Sequence, residues 1–400
     1  MSPSRLALVH LDEKYTKNAV VKALDNSAID WTIDREITED NAEADLNLPF
    51  VSLQWLEYEQ INWLHLSRHS ETTMANAYCI RKGLIRKAQL AYNMTKYLSK
   101  NPESILKQAI PETWQFELDH VDYFEEAMNE VFEVERDLLE NEEKTEDRHM
   151  FIIKPSMANK AAGISVFDSM DQLRAIFEEP ESDSEDEEYD SDAEDLMQVR
   201  EWVIQRYIDR PLLVNKRKFH VRAYVLAVSN IQVYLYHDML ALFAHKEYST
   251  TDLSDSLVHL TNTCIQTDEA DFDEQSSVRL YWELERLGVP KADLETMFGK
   301  MQLILADVFD ACVSEMTTFQ AIPNAFELFG IDFMMDQDLN VYFLEANAFP
   351  DFKQTGAKLQ HVIQELFDAT TKTAIEPFFS EKKAVSDKFV KVFEKELLSL

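Results

Sequence analysis

The amino-terminal residues alternate short apolar runs with an amphipathic stretch. RLALV (5–9) predicts a buried strand, AVVKALDN (19–26) a helix and DWTID (30–34) a second strand, which together predict a small α/β lobe over residues 1–75. From 77 to 100, AYCIRKGLIRKAQLAYNMTKYLSK has helical spacing, with Arg81, Lys82, Arg86, Lys87, Lys96 and Lys100 as a basic strip. That strip reads either as a solvated helix face or as a groove for an acidic peptide or partner. A second, strongly acidic helix is predicted over 122–144. HMFIIKPSMANKAAGISVF then predicts a strand (150–154), a small-residue loop and a strand (163–167). Ser169 and Gln172 offer a capping box for a helix through Phe177. After residue 200, EWVIQRYIDRPLLVNKRKFHVRAYVLAVSNIQVYLYHDMLALFA alternates like strands joined by turns at Asp209-Arg210-Pro211 and Ser229-Asn230. Residues 271–318 read as helical, with Asp293 as N-cap, and 385–398 as a closing helix.

FELFGIDFMMDQDLNVYFLEANAFPDF (326–352) reads as a β-hairpin. Apolar runs 331–335 and 341–344 flank DQDLN, a polar run suited to a turn. If the hairpin folds symmetrically, Asp332 lies opposite Glu345, and Asn347 falls on the same face two residues on. Two carboxylates and a carboxamide form an all-oxygen site for a hard cation. That chemistry suits Mg²⁺ held with substrate phosphates better than zinc. The alternative is an edge hairpin whose polar residues face water, but the flanking strands are apolar and a buried acidic pair needs a counter-ion.

Composition narrows the options. Four hundred residues exceed one core, and 46% hydrophobic content with 24 Phe excludes a disordered chain. The segment 178–195, EEPESDSEDEEYDSDAED, is different: 12 of its 18 residues are acidic, and it is expected to be a solvated, disordered insertion. Its serines sit in the acidic context that acidophilic kinases use. A net charge of −35 argues against direct nucleic-acid binding. Cys79, Cys264 and Cys312 show no metal or disulfide spacing, and no apolar run reaches membrane-helix length. No secretory signal is evident behind Arg5. A soluble, cytoplasmic protein without membrane partners is expected.

An acidic chain that grips a polyphosphate must gather its few cations. NKRKFHVR places Lys218, His220 and Arg222 on one strand face and Arg217 on the other. The cluster reads as an anion site, with Arg as a bidentate fork and Lys as a point charge, or as salt bridges to surplus acids. Lys154 ends an apolar strand before a loop holding Lys160 and Gly163, a second phosphate-facing arrangement. The strand leading into Gln205-Arg206-Tyr207-Ile208 is either a core strand or a backbone edge for an adenine.

In combination these pieces resemble the tubulin-tyrosine-ligase-like family of ATP-grasp ligases. IIKPS with Gly163-Ile164, VIQRYIDRPLLV, RKFHVRAYVL, VYLYHD, HLTNTCIQ and FELFGIDFM…VYFLEANAFP match in order and spacing over nearly the whole chain. The resemblance implies an α/β (α+β) ATP-grasp fold. It divides the chain into an amino-terminal lobe (1–75), a central lobe (76–204) with the acidic insertion, and a carboxy-terminal lobe (205–400), with antiparallel sheets clasping ATP. It implies ATP-driven amide formation through an acyl-phosphate. Asp332, Glu345 and Asn347 would hold Mg²⁺. Lys154 and Lys218 would contact phosphates, Arg222 the γ-phosphoryl group or acyl-phosphate, and 205–208 the adenine. Thr261 and Asn262 would add nucleotide contacts, and Lys160 would lie over the phosphates.

Three features depart from the family pattern. His220 stands where an aspartate is usual, Leu242 where a second arginine is expected, and Ala158 and Ala161 replace phosphate-loop glycines. These departures weaken tubulin ligation more than ATP binding. Within the family the chain is similar to the ATP-grasp module of fungal P-body-associated members, which carry an additional SurE-like phosphatase domain. That similarity implies decapping partners in cytoplasmic P-bodies more than tubulin. Two readings stay open: a ligase joining an amino acid to a protein acceptor, and a non-catalytic ATP-binding docking module.

Overall fold

A computed structural model of the chain describes residues 4–34, 50–156, 163–178, 201–262, 265–266, 274–355, 359–380 and 384–395. Three sheets organise them. The first is parallel, in the order β2-β1-β3-β4, built from β1 (Arg5–His10), β2 (Trp31–Asp34), β3 (Val51–Leu56) and β4 (Met74–Ala75). Its helix Lys14–Asp25 starts where the Glu13 carboxylate accepts the Tyr15 and Thr16 amides, satisfying two of the donors a helix start leaves unpaired. The second sheet is antiparallel, in the order β5-β8-β6-β7: β5 (Thr113–Glu117), β6 (Phe151–Pro155), β7 (Ser165–Phe167) and β8 (Glu201–Arg206). Phe116, Phe151, Phe167 and Trp202 close its core with Val134 and Leu138 of the Phe132–Asn141 helix.

The third and largest sheet comprises β9 (Leu213–Val214), β10 (Arg217–Val228), β11 (Gln232–Tyr236), β12 (Leu240–Phe243), β13 (Val278–Leu280), β14 (Phe326–Met335), β15 (Val341–Asn347) and β16 (Phe389–Glu394). Its long central strand explains where a site can form. Phe219, Val221, Ala223 and Val225 point to one face and pack on Leu294, Met301, Leu305 and Val308 of the Lys291–Val313 helix. The opposite face changes chemistry along its length. Tyr224, Leu226 and Val228 join a second apolar core, whereas Lys218, His220 and Arg222 stay polar although all three are buried. Buried cations of that density need anions.

Four predicted elements differ. The 77–100 stretch is not one helix: a short turn, Lys82–Ile85, ends at an extended Arg86, and the long helix follows over Lys87–Lys100. The Gly83 amide, within the short helical turn Lys82–Ile85, donates to the Thr318 carbonyl at 2.8 Å, and a Cβ there would lie 2.5 Å from the Thr318 hydroxyl, so this turn packs tightly on the 318 region. The 122–144 stretch is likewise broken, with regular helix only at Phe124–Met128 and Phe132–Asn141. Within 271–318, β13 interrupts the helical pattern. The long helix begins at Lys291 with Pro290 as N-cap, leaving Asp293 in its first turn. The 385–398 stretch holds an edge strand, β16, paired antiparallel to β11, so cross-strand pairing overrides the helix-forming Lys and Glu residues. The acidic stretch after Glu178, Lys160 and the two alanines of its loop, and Cys264 lie outside the described residues. Among the described residues, no helix is long and apolar enough to cross a membrane.

Candidate functional site

The hairpin pairs Asp332 with Glu345 and Gly330 with Asn347. The register reaches that pairing through an irregularity between Asp332 and Phe333: Phe333 opposes Phe343, so Leu344 is the extra residue of a bulge. Across β14, Arg222 of β10 is registered with the same Asp332. Directly paired residues share a face, so Arg222, Asp332, Glu345 and Asn347 line up across three strands, with Lys218 and His220 along β10. Gly330 is needed in this row. A Cβ there would meet Pro350 at 2.8 Å and the Arg222 Cδ at 3.2 Å, so glycine leaves the channel in which the arginine lies.

These side chains open into a cavity of about 540 Å³, within the usual range for a small-molecule site. Lys154, Lys218, His220, Arg222, Thr261, Asn262, Asp332, Glu345 and Asn347 all line it. Arg222 donates from Nε and Nη2 to the two Asp332 oxygens at 2.5 and 3.0 Å. The Lys87 ammonium lies 3.6 Å from Glu345, and the Asn347 carboxamide donates to it at 3.5 Å. Burial opposes ionisation of Glu345, but Lys87, Lys154 and Arg222 outweigh it and hold the carboxyl at about 2. Lys218 donates to the Tyr207 hydroxyl and the His259 carbonyl, both at 2.9 Å. Burial, aided by the neighbouring Lys154 ammonium, lowers its pKa to about 7. Burial also lowers Lys154, whose Nζ donates to Gln205 Oε1 at 3.2 Å. His220 contacts Thr261 through Nδ1 at 2.5 Å, its Nε2 is 3.7 Å from Asp332, and burial depresses its pKa.

The 205–208 segment is less uniform. Gln205 and Tyr207 brace the two lysines from behind, and Ile208 is half-buried beyond them. Arg206 turns away to Asp137 and Glu112 and stacks on Phe151. Its amide and that of Tyr207 are taken by the carbonyls of Glu112 and Met150. Sequence reasoning missed Arg81, Arg86 and Lys87, which also line the cavity. Their signal was the basic strip, which breaks at the extended Arg86; of its six cations these three line the cavity. Leu242, opposite His220, is fully buried in the apolar core.

The donor set fits a Mg²⁺–nucleotide pair. Asp332, Glu345 and Asn347 offer hard oxygens on one face, each carboxylate oxygen retains a second lone pair, and the cations beside them match phosphate oxygens.

Comparison with known proteins identifies the family and the fold. The family model described as "Tubulin-tyrosine ligase family" matches residues 66–383, and the chain belongs to that family. A probable tubulin–tyrosine ligase of Schizosaccharomyces pombe is 36% identical over 398 residues, covering 95% of this chain and 94% of the relative. The probable tubulin–tyrosine ligase PBY1 of Saccharomyces cerevisiae is 39% identical over 370 residues, covering 84% of this chain. The match takes in only 48% of that relative, about half its length. The solved C-terminal domain of K. lactis Pby1 is described as an ATP-grasp enzyme interacting with the mRNA decapping enzyme Dcp2. It superposes with a TM-score of 0.70 at 28% identity, covering 99% of this chain and 100% of that domain. The fold is therefore the ATP-grasp fold.

Proposed function

We propose that this member of the tubulin-tyrosine ligase family binds ATP with Mg²⁺ and joins an amine to a carboxylate of a protein acceptor. The observation that carries the reading is the single sheet face that gathers Asp332, Glu345, Asn347, Lys218 and Arg222, with Lys154 of β6 in the second sheet lining the same cavity. ATP with its metal would supply the phosphoryl group that turns a carboxylate into an acyl-phosphate. In this reading Asp332, Glu345 and Asn347 hold the metal, while Lys154 and Lys218 neutralise phosphate oxygens. Arg222, fixed by Asp332, aims its remaining guanidinium edge at the transferring group. Thr261 and Asn262 border the nucleotide, and the family resemblance assigns Lys160, which lies outside the described residues, to the phosphates. The proposed lobes remain 1–75, 76–204 and 205–400.

The test is calorimetric titration with Mg-ATP, followed by incubation with acceptor peptides and hydroxylamine, which traps an acyl-phosphate as a hydroxamate. Mg-dependent ATP binding and ATP-dependent hydroxamate are expected. Absence of both would overturn the reading.

A second reading is favoured by two observations. Leu242 puts an apolar side chain where the family resemblance expects a cation, and the K. lactis domain interacts with Dcp2. A docking module on the cytoplasmic decapping machinery of P-bodies would bind ATP and form no hydroxamate.

A further inference from the structure

His259 lines the cavity but has no part in the reading above. It ends a single helical turn, Ser256–His259, which Asp255 starts by accepting the Leu257 amide at 3.1 Å. The turn brings it to Lys218 of β10 by two routes. Its carbonyl accepts from the Lys218 side chain, and its ring Nδ1 lies 2.8 Å from the Tyr207 hydroxyl, the other group to which Lys218 donates. Tyr207 follows β8 of the second sheet, so this closed loop of hydrogen bonds ties two sheets together at the cavity wall. Donor counting fixes the direction of the loop. The Asp252 carbonyl, 2.9 Å from His259 Nε2, can only accept, so Nε2 carries the proton. Burial lowers the pKa of His259, so the ring is neutral at pH 7 and Nδ1 is an acceptor. The Tyr207 hydroxyl therefore donates to Nδ1 and offers its lone pairs to Lys218. Tyr248, the second hydroxyl beside Tyr207, donates to the Asp209 carbonyl at 2.7 Å and does not compete. Lys154 and His220, the other titratable groups around Lys218, are engaged by Gln205 and Thr261.

We propose that His259 is a positioning residue for Lys218: by holding the Tyr207 proton at Nδ1, it keeps two acceptors turned to the lysine and leaves the third N–H for a phosphate oxygen. This rests on the ATP reading above and names what keeps its lysine charged and aimed. A lysine ammonium has three protons and no acceptor, so it needs lone pairs around it. Without Nδ1, the Tyr207 hydroxyl would turn its proton to the lysine nitrogen, which favours the neutral amine.

The test is the titration of Lys218 in the full chain without nucleotide, read by NMR on protein with isotope-labelled lysine Cε, Lys218→Met assigning the signal. His259→Leu should lower the midpoint by about half to one pH unit, the worth of one hydrogen bond. His259→Asn, whose carboxamide oxygen can take the place of Nδ1, should restore it, although both variants lose the bond to Asp252. In a Tyr207→Phe background, His259→Leu should move the midpoint no further. Mg-ATP affinity at pH 7 should fall about two- to fivefold in His259→Leu, because less of the lysine is protonated before binding, and recover in His259→Asn. A folded His259→Leu protein whose Lys218 titrates as in wild type, or an equal fall in His259→Asn, overturns the inference. So does a ring nitrogen spectrum of the wild-type protein with the proton on Nδ1, a measurement that needs no variant to fold. Because the titration is read without nucleotide, the expected midpoints in a protein that does not bind Mg-ATP refute the ATP reading instead. Mg-ATP binding with midpoints indifferent to His259 refutes only this inference.

Discussion

Arg222 grips Asp332 with both Nε and Nη2, and the two side chains are buried together. The carboxylate is thereby fixed on its β10 side while Glu345 faces it from β15. Asp332→Asn removes the charge and leaves a buried guanidinium uncompensated, which should cost about 3–5 kcal/mol in a denaturant titration. Replacing both partners with apolar residues, Arg222→Met with Asp332→Leu, should recover most of that loss. A single variant that unfolds at the wild-type midpoint would show that the pair is not structural.

Glu345→Gln is the cleaner probe of metal binding, because its partners are cations that can turn to solvent or phosphate. Mg-ATP affinity should fall by tenfold or more with the fold intact, by calorimetry beside circular dichroism. The wild-type carboxyl also predicts acid behaviour. Its pKa of about 2 lies below the ordinary 4.5, so its contribution is present above pH 4.5 and lost as pH falls towards 2. Glu345→Gln should flatten that part of the stability profile.

Lys218 predicts the opposite limb. Its folded pKa of about 7 lies below the ordinary 10.5, so the unfolded chain binds the extra proton between those values and stability rises with pH across them. A bound phosphate would restore the charge. Mg-ATP binding at pH 8 should therefore take up a fraction of a proton, and the uptake should fade at pH 6 and in Lys218→Met. Titration in buffers of different ionisation enthalpy measures it; no buffer dependence at pH 8 would remove Lys218 from the phosphate site.

The hairpin was legible in the sequence because a polar turn between two apolar runs fixes which residues oppose one another. The bulge at Leu344 was not, since one extra residue leaves no compositional trace. The alternation of Lys218, His220 and Arg222 gave their common face directly. Arg81, Arg86 and Lys87 were visible as charge but not as site residues, since the helical spacing of the strip gives no sign of the extended backbone at Arg86 that interrupts it. The 385–398 stretch failed for a related reason: FVKVFE alternates in period two, but its Lys and Glu favour a helix until an open edge at β11 is available.

Tyrosine transfer to tubulin should be weak or absent even though Mg-ATP binds. Leu242 is paired with His220 on β12 and packed in the same apolar core as Val278, so it supplies no cation to the reacting phosphoryl group. Losing one group that stabilises developing charge typically costs about 10²–10³ in rate. In the proposed reading, nucleotide binding draws on Lys154, Lys218 and the hairpin and should survive that loss. The assay is incorporation of labelled tyrosine, glutamate or glycine into detyrosinated tubulin beside an active family member. Transfer at a comparable rate would refute the prediction and favour the ligase over the docking module. Leu242→Arg probes the cause, although an arginine at a fully buried site must reach the cavity past His220 or destabilise the sheet. Its melting curve should therefore be read against Leu242→Met, which keeps the volume without the charge. Restored transfer in a folded Leu242→Arg protein would locate the defect at that position. A folded protein that stays silent would point to an acceptor other than tubulin.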